Sequence, residues 1–127
     1  MSEIMKTFGN NAGILWETLE EYGPQVQKKL IEKTQLTEDE FYSAIGWLAR
    51  ENKVRKEKRT YKIGDTNLTS EIGINAGKVW DVLKKRSDID ITSICQISKV
   101  RKEDCYSAIG WLARENKISA KIAVRKK

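Results

Sequence analysis

YSAIGWLARENK occurs at Tyr42–Lys53 and again, unchanged, at Tyr106–Lys117. The spacing is 64 residues in a chain of 127, so this period divides the molecule in two. Displacing the sequence by one period aligns more than the quoted stretch. GNNAGILWETL (Gly9–Leu19) falls on GINAGKVWDVL (Gly73–Leu83). Without a gap, Ile4, Phe8, Leu30, Leu36 and Val54 fall on Leu68, Ile72, Ile94, Val100 and Ile118. Self-similarity at a fixed period marks a repeated structural unit. The chain therefore reads as a tandem duplication of two modules, residues 1–64 and 65–127. They join near the Gly64-Asp65-Thr66-Asn67 cluster, and each is small enough to be only marginally stable alone.

Each module carries three helical patterns. Asn11 and Asn75 are expected to cap the first, after which Ala12, Leu15, Trp16, Leu19 and Tyr22 fall at helical spacing, as do Ala76, Val79, Trp80 and Leu83. Short extended pieces, PQVQ and DIDI, lead into compact second helices, KKLIEKT and SICQIS, the latter with Thr92 as its expected cap. The third helix opens after Leu36 and after Val100. Thr37-Glu-Asp-Glu40 fits a capping box there, whereas the matching RKED does not. Asn52 and Asn116 suit a left-handed stop, with the adjoining Lys favouring the helix's negative end. VRKEKRTYKI then reads as a tight basic hairpin. ISAKIAVRKK reads as one strand with no return.

Helix, short strand, helix, tight turn, helix, hairpin is the order of a winged helix-turn-helix. LIEKTQLTEDEFYSAIGWLARENKV resembles that superfamily, and NAGxxW together with YSAIGWLARENK resembles a winged helix-turn-helix family described only as a domain of unknown function. The resemblance covers both modules. It implies a mainly α fold with small β-wings, two winged helix-turn-helix modules in tandem, and a function that must be argued from the site.

A helical wheel sorts the repeated stretch. Phe41, Ala44, Ile45, Leu48, Ala49 and Asn52 form one stripe, matched by Cys105, Ala108, Ile109, Leu112, Ala113 and Asn116, and this stripe is expected to be core. Ser43, Gly46, Trp47 and Arg50 lie opposite, as do Ser107, Gly110, Trp111 and Arg114. An indole outside the core stripe needs cover for its ring. A mid-helix glycine beside it invites close approach of another backbone. Three destinations for Trp47 and Trp111 stay open: their own module, a seam between modules or chains lined also by Gly46 and Gly110, or nucleic acid. Cys95 and Cys105 replace Ile31 and Phe41, so buried, inert thiols are expected.

Composition narrows the function. The chain is 39% apolar and 33% charged, a globular balance, and no apolar run is long enough to span a membrane. The opening residues lack the features of a signal peptide, so a cytoplasmic location is expected. Histidine is absent, and two cysteines alone cannot hold a structural zinc. No nucleophile–base pair or phosphate loop is visible, so neither an enzyme, a metal nor a cofactor is expected. Residues 1–64 carry 11 Lys and Arg against 10 Asp and Glu, and residues 65–127 carry 13 against 8, which gives +1 and +5 and sums to the chain's +6. The reading is a duplex-DNA-binding protein, a transcriptional regulator acting as an intrachain pseudo-dimer. Arg101, Lys102, Ser107, Arg114, Lys121 and Arg125 are its expected contacts in the second module, with Arg55, Lys56, Lys58 and Arg59 in the first wing. The alternative is a protein-interaction scaffold, or a self-associating one, whose winged helix faces serve as pairing surfaces.

Overall fold

A computed structural model describes residues 3–86 and 89–118. In the first module the order is α1 (Glu3–Tyr22), β1 (Gln25–Val26), α2 (Gln27–Thr34), α3 (Glu38–Arg50), β2 (Val54–Glu57) and β3 (Thr60–Ile63). In the second, α4 (Thr69–Lys85), α5 (Ile91–Ser98) and α6 (Lys102–Arg114) follow. The bounds of α2 and α5, and of α3 and α6, differ by the 64-residue period at both ends. β1, β3 and β2 form an antiparallel sheet in that spatial order, with Gln25 opposite Tyr61 and Val54 opposite Ile63. Of the strand expected over ISAKIAVRKK, Ile118 is the last described residue, and the rest, with Lys121 and Arg125, lies outside the described residues.

Local chemistry accounts for the boundaries. Thr37 Oγ1 accepts from the Glu40 amide, and Glu40 Oε1 accepts from the Thr37 amide, closing the capping box. Arg101, in the same place before α6, makes no side-chain cap bond. α5 is capped by Asp90, which accepts from the Ser93 amide, and not by Thr92. The helix begins two residues earlier than its sequence suggests, because a carboxylate there satisfies the free amides better than a hydroxyl. Asn52 and Asn116 both hold φ 61, ending α3 and α6 alike.

Two expectations give way. Asn11 does not begin a helix: α1 and α4 run two turns earlier, and Asn11 sits buried inside α1 with its Nδ2 unpartnered among the described residues. The extra turns are held from outside their own module. Met5 and Phe8 of α1 pack into the core of the second module, beside Val79, Leu83 and Ile109. Leu68 and Ile72, at the start of α4, pack into the first core beside Leu15, Phe41 and Leu48. Each core is thus completed by the other half's first helix. The cysteines are the second correction. Cys95 and Cys105 are joined as a disulfide between α5 and α6, with Cα atoms 5.7 Å apart. Their counterparts Ile31 and Phe41 face the same corner between helices, so two smaller side chains placed there meet sulfur to sulfur.

Candidate functional site: a helix seam and a basic wing

The two third helices cross each other at their glycines. A Cβ built on Gly46 would clash with the carbonyl oxygen of Ser107 and stand 2.7 Å from its carbon. One built on Gly110 would meet the Ser43 carbonyl in the same way. The contact is isologous: Ser43 and Gly46 meet Gly110 and Ser107 around a pseudo-two-fold axis. Glycine is required because backbone lies against backbone, the same logic by which small residues permit close helix pairs elsewhere. Ser43, Gly46, Ser107 and Gly110 are all buried.

Charged pairs flank the crossing on both sides. Arg50 Nε donates to Glu115 Oε2 at 3.0 Å, and Arg114 Nε donates to Glu51 Oε2 at 2.8 Å. The same guanidinium groups lie over indoles, Arg50 at 5.7 Å from the Trp111 ring centre and Arg114 at 5.9 Å from that of Trp47. Trp47 and Trp111 each pack against both cores. Trp47 also lies along Gly9 of α1, where a Cβ would come within 3.3 Å of its ring. The indoles therefore join their own module to the seam. Farther along, Lys102 Nζ approaches Asp39 Oδ2 at 3.5 Å. Burial, and then the neighbouring Asp39, push the Tyr106 hydroxyl above its ordinary pKa.

This seam alters the expected mode of DNA reading. From Ser43 to Gly46 and from Ser107 to Gly110, the helix face opposite the core lies against the other module, with Arg50 and Arg114 at its exposed edge. Two helices in contact, each about 10–12 Å across, cannot share a major groove about 12 Å wide. Ser107, expected at DNA, is buried in the seam. Arg114 and Arg50 are taken up by the carboxylates across it. Arg101 remains exposed but donates to Asp104 at 3.2 Å, a bond that raises its guanidinium pKa further. Asp39, Glu51 and Glu115, the acceptors in these pairs, were not singled out by sequence. The signal for two of them was the identical ARENK in both halves.

The first wing is different. Val54–Ile63 carries five cationic side chains against one carboxylate, Glu57. Arg55 donates to Glu57 Oε1 at 2.9 Å and to the Asp65 carbonyl at 2.8 Å. Lys56, Lys58, Arg59 and Lys62 have no ion-pair partner among the described residues, and Lys56, Lys58 and Arg59 are exposed. Two features oppose local stability. Arg55 and Lys62 stand directly opposite each other in the ladder, a like-charge cross-strand pair. Lys58, at the two-residue tip, holds φ 56, where Gly or Asn would be easier.

Strand order, three helices and wing together match one known architecture. A model of the winged helix-turn-helix domain (DUF2582) family matches residues 1–64 and again 67–126. The chain belongs to this family. No curated protein and no solved structure matches it. Its family membership gives a tandem winged helix-turn-helix protein, a fold generally associated with DNA binding or regulation, and no more specific activity. Among the described residues no helix is long and apolar enough to cross a membrane, and no three His, Cys, Asp or Glu side chains are grouped to hold a metal.

Proposed function

We propose that this tandem winged helix protein binds duplex DNA through the phosphate backbone, using the first wing rather than its third helices, and serves as a regulator and not an enzyme. The observation that carries the reading is the wing's cluster of cations without carboxylate partners, kept despite a like-charge pair and a lysine in a left-handed turn. Local conflicts of this kind are expected where function outweighs stability. Phosphate contacts from such a hairpin position a protein without reading bases. Arg101 and Lys102 become minor contributors, because Asp104 and Asp39 already hold them. Lys121 and Arg125 extend the same basic character in the second module.

A fluorescence anisotropy titration with random duplex DNA at several salt concentrations tests this. Each phosphate neutralised contributes about 0.9 to the log–log salt slope. Replacing Lys56, Lys58, Arg59 and Lys62 by Gln should flatten the slope by up to about 3.6 units, whereas Arg101→Thr with Lys102→Glu should change it by less than about one. A large effect of the second pair and none of the first would reverse the assignment. The seam favours a second reading, an interaction scaffold built on self-paired winged helices. That reading takes over if the unmodified chain fails to bind DNA even at low salt.

A further inference from the structure

A cavity of about 230 Å³ lies between α1 and the end of α3. Gly9 and Gly13 line it along α1, Trp16 and Trp47 flank it, and Glu51 and Lys53 complete it. Lys53 Nζ stands 5.8 Å from the Trp16 ring centre and 3.6 Å from Glu51. Arg114, over Trp47, reaches the same carboxylate from the other module. The arrangement recurs 64 residues on. Lys117 lies 5.4 Å from the Trp80 ring centre and 3.4 Å from Glu115, Arg50 covers Trp111 and reaches Glu115, and Trp111 lies along Gly73.

Which positions the two halves share is informative. Four fully buried positions have drifted, Leu15 against Val79, Leu30 against Ile94, Phe41 against Cys105 and Val54 against Ile118, while others such as Leu19 and Ile45 are kept as Leu83 and Ile109, so burial alone does not decide what is retained. Within α1, the residues retained in α4 are Gly9, Asn11, Ala12, Gly13, Trp16 and Leu19, and four of these line the cavity. Exposed Gly13 and Gly77 have no structural reason to be glycine. Their φ is not positive, and a Cβ at either would meet nothing within 4 Å. Glycine is the poorest helix residue after proline, so its retention at both sites points to something that lies on the helix there.

We propose that this groove, and the matching surface where the same contacts recur in the second module, each bind a small planar aromatic anion. Two indoles supply faces for a ring, and bare glycine backbone lets the ring come close. The volume, below that of ordinary drug-sized sites, suits a single ring. Lys and Arg against one Glu leave a net positive charge, so an anionic substituent would draw both cations from Glu51, or from Glu115 in the second groove. The site is independent of the wing. The cavity itself is lined by first-module residues, but Arg114 of the other module holds its carboxylate, Glu51, and lies over Trp47, so binding there would act on a contact across the seam.

All four tryptophans of the chain belong to these two grooves, so indole fluorescence and indole N–H resonances report on them alone. Titrating the full chain with phenyl phosphate should give saturable changes at two sites. Inorganic phosphate and phenol, the two halves of that probe, should each bind at least ten-fold more weakly. Gly13→Leu, which fills the first groove from an open helix face, should leave one site with only the Trp80 and Trp111 signals responding. Glu51→Gln, which frees the two cations, should tighten the first site several-fold. Absence of saturation, equal binding of inorganic phosphate, two sites persisting in Gly13→Leu, or no gain in Glu51→Gln would each overturn the proposal.

Discussion

Gly46→Ala is the most exposing perturbation of the seam. The added methyl is aimed at the Ser107 carbonyl and lies 2.7 Å from its carbon and 3.0 Å from the Trp111 amide nitrogen. These atoms are backbone of a packed helix, so relief requires α3 and α6 to separate by an ångström or so. Separation strains both cores at once, since Trp47 and Trp111 pack against each. Overpacking of this kind costs about 1–3 kcal/mol or more, while alanine returns about 1 kcal/mol of helix propensity. A net loss of about 1–2 kcal/mol is expected, read as a lower urea midpoint and a Tm several degrees lower. Gly13→Ala is the internal control. It gains the same propensity with open space around it, so it should stabilise by about 1 kcal/mol. Opposite signs for two Gly→Ala changes in helices of one chain test the geometry directly. A neutral or stabilising Gly46→Ala would show that the helices do not cross at this residue. The double variant with Gly110→Ala should cost less than the sum, because the first methyl has already parted the helices.

Three further outcomes follow from local chemistry. Removing the hydroxyl in Thr37→Ala should cost about 1 kcal/mol in thermal or urea unfolding, whereas Arg101→Ala, at a position with no cap bond, should be nearly neutral. Reducing the disulfide frees a ten-residue separation and should lower stability by about 2–3 kcal/mol, seen as a fall in Tm with dithiothreitol that Cys95→Ala abolishes. Burial, with Tyr42 and Glu71 adding to it, pushes the Tyr61 hydroxyl up to about 12. Its native pKa lies above the unfolded value near 10, so the unfolded chain loses the proton first and stability falls as pH climbs from about 10 to 12. Tyr61→Phe, which keeps the ring packed on Phe41, should remove that part of the alkaline destabilisation, with tyrosinate absorbance as the direct check.

The second and third helices were legible because their signals are local. A capping box, a left-handed Asn stop and a wing hairpin need only neighbours in sequence. The start of α1 was not. Asn11 looks like a cap because Asn competes for nearby backbone groups, yet Met5 and Phe8 find their burial in the other module, where one module's periodicity cannot follow them. The same limit left Trp47 with three destinations. A wheel shows that Trp47 faces away from its own core stripe, but the partner surface comes from residues 64 positions away. Gly46 did carry the information, since a glycine beside an uncovered indole in mid-helix asks for a close neighbour. What sequence could not supply was that the neighbour is the same helix of the other half. That arrangement buries Ser107 in the seam and pairs Arg114 with Glu51.

The acidic start of α3 and the mixed start of α6, read in sequence as a difference in DNA affinity, acquire another meaning in the seam. Lys102 of α6 meets Asp39 of α3 at 3.5 Å. By the pseudo-two-fold, Glu38 of α3 takes the place of Lys102 and Glu103 that of Asp39. A pair of first modules would bring Glu38 against Asp39 twice, two repulsive contacts, whereas first with second sets one attraction, Lys102 with Asp39, beside a single like-charge pair, Glu38 with Glu103. The residues at the crossing of α3 and α6 from Ser43 to Glu51 are identical to those from Ser107 to Glu115 and cannot discriminate. This charge difference therefore biases pairing between unlike modules over pairing of two first modules. An exposed ion pair contributes about 0–1 kcal/mol, so the bias is small but should respond to salt. Lys102→Glu should turn the contact repulsive, lower stability by up to about 1 kcal/mol at low ionic strength, and lose most of that effect near 1 M salt. Combining it with Asp39→Lys should restore the unmodified stability. A Lys102→Glu penalty that high salt leaves untouched, or that Asp39→Lys fails to repair, would place Lys102 outside the pairing surface and return it to the candidates for phosphate contact.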